Sequence, residues 1–82
     1  MDLRQIQKMK DAGAHLITIS SNGKWLVYHF RHDAEIKNLK FPATSVKSIT
    51  KIYPGAELYE REIMEKYGVK FRGHPNPVKL FT

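Results

Sequence analysis

Residues 56–75, AELYEREIMEKYGVKFRGHP, decide how this chain is read. Ala56, Tyr59, Ile63 and Tyr67 recur at three- and four-residue spacing with Met64 beside them, which is a helical stripe. Glu60 sits on its flank, one turn before Met64, inside the charged triplet Glu60-Arg61-Glu62. Pro54 can open such a helix and Gly68 can end it. A short apolar strand, Val69-Lys70-Phe71, should follow, then a Gly73-His74-Pro75 turn.

Upstream, Val46, Ile49, Ile52, Tyr53 and Ala56 also recur at helical spacing, with Thr44 as an N-cap. The spacing predicts a short helix over 44–53, although the β-branched content would also suit a strand. Earlier still, Asn22-Gly23 lies between HLITISS and KWLVYHFR. Asn-Gly fits a two-residue type I′ hairpin loop, because both residues tolerate positive φ. That loop would pair Ser21 with Lys24, Ile19 with Leu26, Ile17 with Tyr28 and His15 with Phe30. One face then carries Ile17, Ile19, Leu26, Tyr28 and Phe30 as core. The other carries Leu16, Thr18, Ser20, Trp25, Val27 and His29.

His32-Asp33-Ala34 reads as a second turn, and residues 35–41 as an edge strand guarded by Lys37 and Lys40 and ended by Pro42. Residues 2–12 read as a helix capped by Asp2, with a narrow Leu3, Ile6, Met9 stripe and a Gly13 stop. Residues 76–82, NPVKLFT, form a tail with an apolar end. The expected fold is α+β and two-layered: a mixed or antiparallel sheet of about four strands with helices on one face, in a single domain over 1–82.

The 82 residues carry a net charge of +6 and no cysteine. A domain this small has a thin core, and without disulfides or thiolate metal ligands it often leans on a partner surface. No apolar run approaches the ~20 residues needed to cross a bilayer. The first residues lack the apolar block of a signal peptide, so a cytoplasmic location is expected. The positive charge favours an acidic partner. Basic and aromatic residues alternate at Lys24-Trp25, Tyr28-His29-Phe30-Arg31 and Lys70-Phe71-Arg72, which makes a small nucleic-acid binder the alternative reading. Of those rings, Tyr28 and Phe30 are expected in the core, leaving Trp25 exposed.

Catalytic chemistry finds little support. Glu60 and Glu62 stand about 200° apart around a helix, so they diverge from any shared substrate. His15, His29, His32 and His74 fall on different faces and none forms a helical pair, which disfavours zinc. No glycine-rich loop leads from a strand into a helix. Arg61 offers a planar fork for a carboxylate, and a carboxylate at the edge of an apolar stripe needs such a partner or a backbone donor. His74, before Pro75, is expected to anchor the turn through its side chain.

Tyr59-Glu60-Arg61-Glu62-Ile63, Tyr67-Gly68-Val69, Phe71 and Gly73-His74-Pro75 resemble the signature of the thirty-kilodalton subunit family of respiratory complex I. That family includes the corresponding subunits of membrane-bound, energy-converting nickel–iron hydrogenases and of formate hydrogenlyase, and a short chain like this resembles a hydrogenase-type or archaeal-type subunit more than a mitochondrial one. The likeness extends weakly back to about Ala14. Leu58 departs from the usual Trp, Lys66-Tyr67 from an apolar pair, and Asn76-Pro77-Val78-Lys79 from an Asp-Leu-Arg-Arg run. The resemblance implies a non-catalytic subunit that binds no cofactor itself. Iron–sulfur clusters and nickel–iron or quinone sites would lie in partner subunits. The chain would pack on the large subunit that holds the quinone pocket, or on the hydrogenase large subunit, in a complex peripherally attached to the membrane. Glu60, Arg61, Glu62, Gly68, Gly73, His74 and Pro75 would form a structural motif. Trp25, Lys79, Leu80 and Phe81 would dock on the partner.

Overall fold

A computed structural model describes residues 2–75. Helix α1 (Leu3–Asp11) starts where Asp2 Oδ1 accepts the Arg4 amide at 2.9 Å. It ends at Gly13, whose φ of +85° turns the chain out of the helix. Ile6 is fully buried, while Leu3 and Met9 pack at the margin of the core.

Three antiparallel strands follow in the order β1 (His15–Ser21), β2 (Trp25–His32), β3 (Glu35–Pro42). The Asn22-Gly23 hairpin forms, but its connection is wider than a two-residue loop: Ser21 faces Leu26 and Ile19 faces Tyr28. Asn22 Oδ1 accepts the amides of Lys24 and Trp25 at 2.9 and 3.0 Å, and Ser21 Oγ accepts Gly23 N at 3.0 Å. These side-chain bonds hold the turn in place of a tight backbone pairing. From the turn to Thr18 the shift moves each partner by two residues, so Ile19, Leu26, Tyr28 and Phe30 keep the inward face.

Ile17 does not. An irregularity between Leu16 and Thr18 sets Leu16 opposite Phe30 and leaves Ile17 40% exposed. A bulge exchanges inward and outward side chains, and Leu16 takes the place expected of Ile17. Strand β3 lies at the sheet edge, with Phe41 inward against Tyr28 (ring centroids 5.6 Å apart, edge-on) and Ile36 outward.

No helix forms over 44–53. Strand β4 (Val46–Lys47) pairs in parallel with β5 (Phe71–Arg72), Val46 opposite Phe71. A tight turn follows, in which the Ile52 and Tyr53 amides both donate to the Ile49 carbonyl. Val46, Ile49 and Tyr53 do point inward together, but from a strand, a connection and a turn. Parallel strands need a crossover, and helix α2 (Ala56–Tyr67) supplies it. Gly68 ends α2 at φ +69°, its amide on the Met64 carbonyl at 2.9 Å.

The buried line of α2 is Ala56, Glu60, Ile63 and Met64. Tyr59 is only partly buried and Tyr67 is exposed, because the line runs through Glu60 instead. The Tyr67 ring lies against the Gly23 backbone. Ile6, the inward residues of the sheet, Val46, Ile49, Ile63, Met64, Val69 and Phe71 form one core. Tyr53 closes it, donating its hydroxyl to the Ala14 carbonyl at 2.8 Å. The α+β class is as expected, with the strands divided between an antiparallel sheet and a separate parallel pair.

Candidate functional site

Helix α2 delivers Glu60 to the interior with no exposed surface. A carboxylate is tolerated there only if its oxygens are occupied. Ser48 donates its hydroxyl to Oε1 at 2.7 Å, and Ile49 donates its amide to Oε2 at 2.9 Å. Both donors lie just after β4, where the chain leaves the parallel pair: the Ser48 amide still donates to the Arg72 carbonyl at 2.7 Å, and the Ile49 amide turns to Glu60. The Thr50 amide donates to Ser48 Oγ at 3.2 Å, fixing the hydroxyl that serves Glu60.

The third element is the turn after β5. Gly73, at φ +77°, swings His74 back under α2. The imidazole is enclosed and its Nε2 donates to the Glu57 carbonyl at 3.3 Å. The same nitrogen lies 3.8 Å from Glu60 Oε1. One carboxylate therefore joins the end of β4, the middle of α2 and the turn beyond β5.

Burial pushes the Glu60 carboxyl above its ordinary range, against the opposing pull of the Ile49 amide, the Ser48 hydroxyl and His74. Burial, and then the Glu60 charge, push the Tyr28 phenol well above its usual value. Both Glu60 oxygens face donors inside the fold. The arrangement can hold three segments in one geometry, but it does not present a carboxylate to a substrate.

The other expected site residues lie outside this cluster. Arg61 is partly exposed and Glu62 exposed, and neither side chain bonds to a described residue. Pro75 is exposed. Trp25 is 41% exposed, with Lys40 Nζ 4.4 Å from its ring centre. Lys79, Leu80 and Phe81 lie outside the described residues. Tyr28 and Phe30 are fully buried, so of the stacking rings on β2 only Trp25 reaches solvent. His29 is held between Ser20 (2.8 Å) and Asn38 (2.7 Å). Among the described residues no three His, Cys, Asp or Glu side chains are placed to share a metal. No helix among them is long and apolar enough to cross a membrane.

Sequence reasoning missed Ser48, the Ile49 amide, the Glu57 carbonyl and Tyr28. Ser48-Ile49-Thr50 carries a faint signal, since two hydroxyls flanking an apolar residue suit a polar contact at a strand end.

This fold and site define a small α+β module in which a strand, a crossover helix and a turn meet at one internal carboxylate. The family described as respiratory-chain NADH dehydrogenase, 30 Kd subunit, matches residues 3–82. Among curated relatives, the C subunit of NADH-quinone oxidoreductase from Phenylobacterium zucineum is 30% identical over 82 residues, covering 100% of this chain and 35% of the relative. Its counterpart from Thiobacillus denitrificans is 36% identical over 69 residues, 84% of this chain and 31% of the relative. The one from Bartonella quintana is 51% identical over 39 residues, 48% of this chain and 19% of the relative. No solved structure matches significantly. The chain belongs to the 30 Kd subunit family of the respiratory-chain NADH dehydrogenase. It spans about a third of the length of the relatives matched over most of it.

Proposed function

We propose that this chain is a non-catalytic assembly subunit of an energy-converting oxidoreductase complex, of NADH dehydrogenase or membrane-bound hydrogenase type. It packs on the large subunit of that complex, the quinone-site subunit or the hydrogenase large subunit, and meets the membrane only through the complex. Iron–sulfur clusters and the nickel–iron or quinone site belong to its partners. The observation that carries this reading is the sealed Glu60. The residue central to the family signature is spent on Ser48 and the Ile49 amide, with no exposed surface left for chemistry.

In this reading Glu60, His74, Gly68 and Gly73 brace the module, and Pro75 belongs to the same motif. Arg61 and Glu62, left unpaired by the described residues, point their charges at the large subunit. Trp25, Lys79, Leu80 and Phe81 complete the docking surface. The test is co-purification of the full chain with a large subunit of such a complex from its own cells. Arg61→Ala should keep the wild-type melting temperature and lose most of the co-purifying subunit. Unchanged recovery of the subunit with Arg61→Ala would remove Arg61 from the interface. A wild-type chain that recovers no oxidoreductase subunit would remove the assembly reading itself.

A further inference from the structure

Outside the brace, the parallel strand pair gathers positive charge. Register places Lys47 beside Arg72. Lys51 follows in the next turn, and Leu3, Lys47, Ser48, Lys51, Arg72 and Gly73 line one shallow depression. All three basic residues are exposed, and none makes an ion pair with a described residue.

The backbone adds a donor. Gly73, at φ +77°, makes no hydrogen bond through its amide to any described residue. Ser48 adds none, because its proton goes inward to Glu60. The Glu60 carboxylate itself is sealed behind that hydroxyl and offers no counter-charge at the surface.

We infer that this depression is a binding site for a phosphate group, held by Lys47, Lys51, Arg72 and the Gly73 amide. Three cations around one hollow supply more charge than a single carboxylate neutralises. The several oxygens of a phosphate can each take a separate donor, with the planar Arg72 fork engaging two. An amide in a left-handed turn is a common element of such concave anion sites. The phosphate has two chemical sources, a soluble phosphate or an anionic phospholipid headgroup. The inference is independent of the assembly reading above.

The test is a titration of the isotopically labelled full chain with inorganic phosphate, followed by amide resonances against sodium chloride at equal ionic strength. The Gly73, Lys51 and Lys47 amides should shift saturably with phosphate and not with chloride. Arg72→Gln should weaken the affinity about tenfold, the loss of one charge-assisted contact. Lys51→Gln gives a second reading in case Arg72→Gln disturbs β5. Lys37→Gln, on the far strand, should bind as wild type. Equal shifts with chloride, or equal weakening by Lys37→Gln, would overturn the site. Sedimentation with phosphatidylcholine vesicles containing about one-fifth phosphatidylglycerol separates the sources. Binding that phosphate competes away and Arg72→Gln abolishes identifies a headgroup site. Saturable phosphate binding without vesicle binding identifies a soluble phosphate.

Discussion

The antiparallel sheet and the β4–α2–β5 unit share one core, yet they are held by different forces. In the sheet, Ile19, Leu26, Tyr28, Phe30 and Phe41 are buried side by side along three strands with long ladders. Burial has no direction, so what matters there is volume. In the β4–α2–β5 unit the strands pair over two residues each, too few to hold by themselves. Direction supplies the rest: a carboxylate at 2.7 and 2.9 Å from two donors, and an imidazole on a helix carbonyl. The sheet should therefore forgive conservative changes of shape, and the brace should not forgive even an isostere.

The largest effect is expected where volume is removed. Phe30→Ala empties a fully buried site against Tyr53 and should cost about 3–5 kcal/mol in urea denaturation. Phe30→Leu should recover most of that. If it does not, the sheet depends on shape as strictly as the brace.

Glu60→Gln comes next, at about 1–3 kcal/mol with almost no change in volume. The Gln oxygen can take the Ile49 amide, but its NH2 then faces Ser48, whose hydroxyl must turn from donating to accepting. The same substitution exposes a pH dependence. Burial lifts the Glu60 pKa above its ordinary value of 4.5, so the folded chain keeps this proton to higher pH than the unfolded chain. The folded state binds more protons in that window, and stability falls as pH rises there. The contribution is fullest below pH 4.5, declines as pH rises through the folded value, and is level above it. The stability difference between wild type and Glu60→Gln should follow that curve. A difference that grows with pH would mean the hydrogen bonds outweigh desolvation.

The smallest of these effects tests where the two regions touch. Gly23 holds φ +90°, and an added Cβ would lie 3.2 Å from Tyr67 Cδ1. Gly23→Ala should cost about 1–2 kcal/mol through its left-handed backbone. Adding Tyr67→Ala relieves the crowding but not the φ, so the double variant should recover only part of the loss.

The two regions also differ in how far their residues announce them. Asn22-Gly23 and the alternation around it mark the hairpin, because turn chemistry is local. The wider loop comes from Asn22 capping two amides, and the bulge at Ile17 from which side chain the core accepts. Neither is set by neighbours in sequence. Over 44–53, inward residues really do recur every three or four positions, but β4 and a turn generate that spacing as well as a helix would. Pairing with β5, which sets Val46 against the distant Phe71 beyond α2, decides the matter. At the candidate site, residue types mark Glu60 as odd on an apolar flank, and the signature marks Glu60 and His74 together. One of Glu60's two partners is a backbone amide, which no residue type discloses, the other is the distant Ser48 hydroxyl, and Arg61 is the more obvious but unused choice.

Glu60 is proposed to hold β4, α2 and the turn beyond β5 together while the sheet stands without it. Amide hydrogen exchange of wild type against Glu60→Gln tests this most directly. Faster exchange at Ile49, Thr50 and the β4–β5 pair is predicted, with β1–β3 amides protected as before relative to global unfolding. Uniform acceleration across the chain, or no change at Ile49, would contradict it.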